Sequence, residues 1–269
     1  MGEGRSWHAG QAVRTAPLPS TCFDADARAF GHLMAIRTTI GQLCGVSRET
    51  PHDLTSLGVV TRLHLFDMDG TLLHGTTAPL EISRQLGLES ETVALERAIA
   101  DGRIGPPEYA AQVYDLWAGL TDAHVRAAFE AAPWLARIRE VWARIRSAGE
   151  YCAVVSLSPS FFVERLLDWG AHAAHGSRFP AVPFTEPVDP SGVLNAAAKV
   201  VIAERLCAEF GVTRADCVAY GDSASDKELF AAVPVSVAVN ADSHVAGLAT
   251  HSYSGLDLWE AYELVGPAQ

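Results

Sequence analysis

The sequence predicts an α/β protein built on a parallel sheet, and three observations carry that prediction. Short apolar runs at residues 63–66, 151–155, 217–220 and 235–239 have the length and continuity of strands buried on both faces. Helical periodicity fills the intervals between them, and strands alternating with helices imply parallel order with helices covering both sides. About 80 residues separate the first two strands, more than one crossover helix needs. The architecture expected is therefore a Rossmann-like parallel sheet core with an inserted small helical cap.

Residues 1–60 differ from the rest, being rich in Gly, Pro, Ser, Thr and His, with one helical stretch at 27–43. They read as a partly disordered N-terminal extension, and Met34 offers a later start. The core is expected over 61–75 and 134–269, and the cap over 76–133. Cap helices are predicted at 80–86, 92–99, 109–117 and 123–131. Trp134, Ile138, Val141, Trp142 and Ile145 share one face of a helix closed near Gly149. Ser158 and Pro159 would cap a helix carrying Phe162, Val163, Leu166 and Leu167, ended by Gly170. A further helix spans 195–210 and ends at Gly211. In such a sheet ligands bind beyond the carboxyl ends of the strands, and the polar residues just past three of these ends are Asp67, Ser156 and Asp222.

Composition narrows the function. The 269 residues are 49% hydrophobic, enough for a full core, and carry a formal charge of −12. Such a chain has no basic surface for a phosphate backbone, so nucleic acid is not an expected partner. Five scattered cysteines lack metal-site or disulfide-framework spacing. No apolar run reaches the roughly 18 residues of a membrane span, and the start has no signal-peptide core. A cytoplasmic protein, monomeric or homodimeric, acting on a small molecule and engaging no membrane is the expectation.

The run Phe66-Asp67-Met68-Asp69-Gly70-Thr71-Leu72 carries the chemistry. At a strand end, Asp67 is placed to attack phosphorus, and Asp69, two residues on, to protonate the leaving oxygen and later activate water. Gly70 lets the chain turn sharply, and Thr71 can hold the loop. A calcium loop would need oxygen ligands at alternating positions, a series that Met68, Leu72 and Leu73 interrupt.

This run resembles the first motif of the haloacid dehalogenase superfamily, in its phosphoserine phosphatase-like branch, and the other motifs follow in order. The resemblance implies that Ser156 donates a hydrogen bond to the phosphoryl group, although a serine after a strand also reads as a helix cap. It implies that Lys199 offsets charge on the phosphoryl oxygens and Asp67, where a lone helical lysine otherwise reads as solvated. Gly221-Asp222-Ser223-Ala224-Ser225-Asp226 resembles the fourth motif. Asp222 would then ligate Mg²⁺ with the carboxylate of Asp67 and the backbone carbonyl of Asp69, and Asp226 would orient a water or Lys199 from behind.

A carboxylate at Asp69 separates phosphatases and phosphomutases from the dehalogenases, phosphonatases and P-type ATPases of the superfamily. Departures from phosphoserine phosphatases are equally informative. Their ammonium-binding Glu after the first motif is matched here by His74-Gly75-Thr76-Thr77, and their cap Arg by 108–114, which holds no basic residue. Ser156-Leu157-Ser158 replaces their Ser-Gly-Gly, and Ser225 stands where they have Asn. With His74, Thr76, Leu157 and Ser158 as substrate contacts, and Thr77, Tyr109, Gln112, Tyr114 and Trp117 in the cap, the lining reads as neutral and hydrogen-bonding. It favours a sugar, polyol or cyclitol phosphate over phosphoserine, with a phosphomutase as the other alternative.

Overall fold

The computed structural model describes residues 61–266. The extension expected over 1–60, with its helix at 27–43, lies outside them. β1 (Leu63–Phe66) is buried along its whole length. Four helices follow, namely α1 (Ala78–Leu86), α2 (Glu89–Ala100), α3 (Pro106–Leu116) and α4 (Asp122–Ala131), in the interval where four helical patterns are expected. Then come α5 (Ile138–Ser147), β2 (Tyr151–Pro159), α6 (Ser160–Val163) and β3 (Ala173–Ser177). The chain continues through α7 (Ala196–Phe210), β4 (Cys217–Gly221), α8 (Lys227–Ala232) and β5 (Val235–Val239). It closes with α9 (Ser243–Ala246), β6 (His251–Tyr253) and α10 (Leu258–Glu263). Among the described residues no helix is long and apolar enough to cross a membrane.

Local chemistry sets the helix limits that matter for the site. The Thr77 hydroxyl accepts from the Leu80 amide at the start of α1, and Gly87 in the left-handed conformation ends it. The Asn195 side chain accepts from the Ala198 amide at the start of α7, and Gly211 ends that helix in the same way. These caps fix the starting points of the helices from which Lys199 and the roof of the pocket project.

All six strands are parallel, in the order β3-β2-β1-β4-β5-β6. The central pair, β1 and β4, puts Phe66 beside Tyr220, so the residues that follow each strand emerge side by side. Leu63 and Leu65 face Ile202 and Leu206 of α7 on one side of the sheet, while Phe66 packs on the other with Val141, Trp142 and Ile145 of α5. Phe66 and Tyr220 stack with centroids 4.3 Å apart. Each such fully buried side chain contributes on the order of 2 kcal/mol, which holds the strand ends in place. His64 is buried in the same sheet, its Nε2 2.9 Å from Glu150 Oε2 and its Nδ1 3.2 Å from the Tyr220 hydroxyl.

The structure departs from expectation at several elements. β2 does not stop before Ser156 but runs on to Pro159, because β3 pairs beside it as far as Ser177. Gly176 permits that approach, since a Cβ there would lie 2.5 Å from the Ser158 carbonyl oxygen. The helix expected to be capped by Ser158 begins instead at Ser160 as one α turn and continues as 3₁₀ over Glu164–Trp169. Trp134 precedes α5 rather than lying on it, bridging to Leu73. Pro190–Gly192 form a 3₁₀ turn capped by the Asp189 side chain.

The segment between β3 and α7 reaches back to α3 and the residue that follows it. Phe184 stacks on Tyr114 of α3 at 4.7 Å, and Phe179 meets Trp117 at 6.3 Å.

Candidate active site

Asp67 leaves the end of β1, and its amide donates to the Tyr220 carbonyl of β4 at 2.9 Å, continuing the sheet by one rung. That rung aims its side chain at Lys199, which α7 delivers from the opposite layer. Lys199 Nζ donates to Asp67 Oδ1 at 2.8 Å, to Asp226 Oδ1 at 2.6 Å and to Ser225 Oγ at 3.1 Å. Lys199 is 1% exposed, so the lysine that the sequence leaves open as a solvated side chain is a buried cation between two carboxylates.

Asp226 is held by both oxygens. Oδ2 accepts from the amides of Asp222 and Ser223, each at 3.1 Å, while Oδ1 faces Lys199. It therefore shapes the β4 loop and aims the lysine. Asp222 is turned toward β1, where its Oδ1 accepts from the Thr71 hydroxyl at 3.2 Å.

Gly70, at φ +78°, brings the two loops together, and a Cβ on it would fall 2.1 Å from Asp222 Oδ2. Only glycine meets both demands at that position.

Asp69 faces the β2 side. Its Oδ2 accepts from Ser158 Oγ at 2.7 Å and Ser156 Oγ at 3.0 Å, and its Oδ1 from the Ala78 amide at the start of α1 at 2.7 Å. The hydroxyl of Ser156 is thus engaged with Asp69, and it also accepts from the Ser158 amide.

Charge explains the acid–base properties. Asp67, Asp69, Asp222 and Asp226 are opposed by one lysine. Loss of hydration pushes the Asp67 carboxyl well up, against the pull of Lys199. The same loss raises Asp69, against the hydrogen bonds from Ser158, Ala78 and Ser156. Burial, then the neighbouring Asp226, pushes Asp222 up to about 7. Lys199, between Asp67 and Asp226, is held above the ordinary lysine range although burial opposes its charge.

One oxygen each of Asp67, Asp222 and Asp226 lies within 4.8 Å of the others. Hard carboxylate oxygens with an uncompensated negative charge fit a divalent cation. Asp226 has no oxygen to spare, which leaves Asp67 and Asp222 as the side chains to hold it.

A cavity of about 660 Å³ opens above these residues, walled by both the strand ends and α1–α3. Thr76, Thr77, Leu157 and Ser158 line it, and so does Tyr109. His74 does not. It is exposed, its amide donates to the Pro133 carbonyl, and its Nδ1 lies 3.4 Å from Asn240 Nδ2, so its ring is turned to the outside of the loop. Gln112, Tyr114 and Trp117 also lie off the wall; Trp117 is buried, with its Nε1 donating to Ser83. The wall is mainly apolar, through residues such as Leu80, Ile99, Val113 and Phe179.

Sequence reasoning missed Glu96. It lines the cavity from α2 and accepts a short hydrogen bond from the Thr77 hydroxyl. In the sequence it reads as an outward charge on an amphipathic helix, and no local signal marks it as facing inward.

The haloacid dehalogenase-like hydrolase family model matches residues 64–231, and the chain belongs to that family. A phosphoserine phosphatase of Archaeoglobus fulgidus is 26% identical over 195 residues, which are 72% of this chain and 56% of that protein. A phosphoglycolate phosphatase of Halobacterium salinarum is 45% identical over 78 residues, 29% of this chain and 33% of its own length. The chain thus spans about half or less of the length of these curated relatives. A substrate-bound phosphoserine phosphatase complex shares the fold, with a TM-score of 0.65 at 23% identity, over 76% of this chain and 98% of the other.

Proposed function

We propose that the protein is a Mg²⁺-dependent phosphatase that hydrolyses small phosphomonoesters through an aspartyl-phosphate on Asp67, with residues 76–133 as a cap over the strand ends. The observation that carries this reading is the Lys199 contact. A buried lysine shared between Asp67 and Asp226 favours the ionised, nucleophilic form of Asp67 against the larger effect of burial, and stands ready to offset charge gathering on the phosphoryl oxygens.

Asp67 and Asp222, with the backbone carbonyl of Asp69, would hold the Mg²⁺. When bound it supplies positive charge to carboxylates and phosphate that otherwise repel one another. Asp67 forms the new bond to phosphorus as the ester P–O bond breaks. Asp69, whose raised carboxyl keeps a proton available, gives it to the departing oxygen. Asp69, now ionised, takes a proton from water as the water oxygen attacks the same phosphorus, releasing inorganic phosphate and restoring Asp67. Ser156 and Ser158 hold Asp69 in position between these two steps.

Sugar, polyol or cyclitol phosphates are the leaving-group chemistry that the sequence favours. Thr76 and Tyr109 support it from the cavity wall, while Gln112, Tyr114 and Trp117 give it no support there. Phosphoserine lacks a basic partner for its carboxylate among the lining residues. The test is Mg²⁺-dependent phosphate release from p-nitrophenyl phosphate, expected to be lost in Asp67→Asn. Undiminished turnover by that variant would sink the mechanism.

A further inference from the structure

The wall of the cavity beyond the strand ends is chemically lopsided. Leu80, Ile99, Val113, Phe179 and Leu194 make most of it apolar, and no Lys or Arg side chain lines it. Away from Asp67, Asp69 and Asp222, the titratable lining groups are Glu96 and Tyr109. Glu96 Oε1 is taken by the Thr77 hydroxyl, and Oε2 accepts no hydrogen bond among the described residues. Glu96 thus stands half-buried in the wall with one carboxylate oxygen unpaired among the described residues, and Arg84, whose charge acts on it, does not line the cavity.

Three classes of leaving group can be weighed against this wall. One with a second anion would meet the carboxylates of Asp67, Asp69, Asp222 and Glu96 with no basic side chain beyond Lys199, which is already shared. A wholly apolar one would strip water from Glu96 and give nothing in return, a cost of several kcal/mol for a buried charge. One bearing a cationic nitrogen would satisfy Glu96 and bury its carbon skeleton against the remaining wall. We propose that the cavity selects phosphomonoesters whose leaving group joins an apolar body to a single amine or quaternary ammonium nitrogen, held by Glu96. This inference rests on the phosphatase reading above and replaces the neutral polyol class favoured by the sequence, whose several hydroxyls would find few partners on so apolar a wall, with an amino-alcohol class at the same site. Burial raises the Glu96 carboxyl against the Thr77 hydrogen bond, with Asp69 adding to the rise and Arg84 opposing it, and a bound cation would favour the ionised form.

The experiment compares kcat/KM of the full-length protein with Mg²⁺ on two pairs of esters alike in shape and unlike in charge. They are phosphocholine against 3,3-dimethylbutyl phosphate, and 4-(aminomethyl)phenyl phosphate against 4-ethylphenyl phosphate. In at least one pair the cationic member should be preferred by about tenfold or more, as expected for a charge-assisted contact. Glu96→Gln should bring that ratio close to one, and Glu96→Asp should keep part of it; the ratio is insensitive to how much of a variant is folded. Independently, the matching alcohols should differ on the wild type, choline inhibiting p-nitrophenyl phosphate hydrolysis more strongly than 3,3-dimethylbutanol. A ratio of one or less in both pairs, or a ratio unmoved in Glu96→Gln, overturns the inference and leaves the phosphatase reading standing. No phosphate release from these esters or from p-nitrophenyl phosphate overturns both.

Discussion

Gly70 and Asp222 come from loops on neighbouring strands, and a single carbon added to Gly70 would sit 2.1 Å from the Asp222 carboxylate. Everything the site does with charge depends on that closeness, because it lets the β1 loop and the β4 loop share one small volume. Gly70→Ala should therefore leave the core folded and weaken Mg²⁺. The half-saturating concentration should rise roughly ten- to hundredfold, the equivalent of about 1–3 kcal/mol of backbone strain. Calorimetric titration with Mg²⁺ measures it directly, and an unchanged affinity would show that the two loops do not hold the ion together.

Lys199 is the sole basic partner of Asp67 and Asp226 among the described residues. Lys199→Met would strand two buried carboxylates, and breaking such a pair from one side costs about 3–5 kcal/mol. A large drop in Tm is expected, with part of it recovered in Lys199→Met/Asp226→Asn. Additive losses in the double variant would mean that the lysine and Asp226 do not interact.

On the proposed metal assignment, Mg²⁺ and a proton would compete at Asp222. Its folded value of about 7 lies above the ordinary carboxylate value of 3.8, so the metal-free protein is favoured by protonation. That stability is fully present below about pH 4 and is lost as pH rises through 7. Mg²⁺ requires the ionised form, so its stabilising effect should be small at pH 6 and large at pH 8. Tm measured with Mg²⁺ and with EDTA across this range gives the answer, and a constant difference would contradict the assignment.

Ser158 and Ser156 bond to the ionised form of Asp69 and so hold its proton affinity down, against the larger effect of lost hydration. Ser158→Ala should move the basic limb of the pH–rate profile to higher pH, since Asp69 would keep its proton longer. A profile lowered in height with both limbs unmoved would show Ser158 to be a packing residue only.

His64 gives a test far from the pocket chemistry. Burial lowers its proton affinity below the usual value of 6.5, although Glu150 pulls the other way. The unfolded chain then binds a proton that the folded chain resists, so stability is full above 6.5 and falls as pH drops below it. With Mg²⁺ present, wild type should lose more Tm than His64→Gln between pH 7 and pH 5.5. Parallel curves would remove His64 from the account.

The parts of this molecule that could be read from its sequence are those whose signal is local. β1 ends one residue before Asp67, and β5 occupies the run expected for it, because a short, mainly apolar run broken by a single polar residue, His64 or Ser236, has few other uses. β3 had no such signal: Ala-Ala-His-Gly-Ser becomes a strand because β2 stands beside it and Gly176 lets it come near. Asp67 and Asp69 were legible as a pair of carboxylates at a strand end, whereas Lys199, Asp222 and Asp226 were marked out by the resemblance to the family's motifs. What each hydroxyl does was not, since Ser158 reads as a helix cap and serves Asp69 instead. His74 was misplaced because nearness to a strand end in sequence says nothing about which side of a loop a ring takes. Glu96 was invisible for the converse reason, its inward aim being decided by how α2 packs.

The stacked rings of Tyr114 and Phe184 have a kinetic meaning. They join α3 to the segment between β3 and α7, so two walls of the cavity are fastened to one another at a point off its lining. A swing of α3 away from that segment must part the rings, and in that motion their adhesion rather than the chemistry at phosphorus would set how often the chamber exchanges its contents.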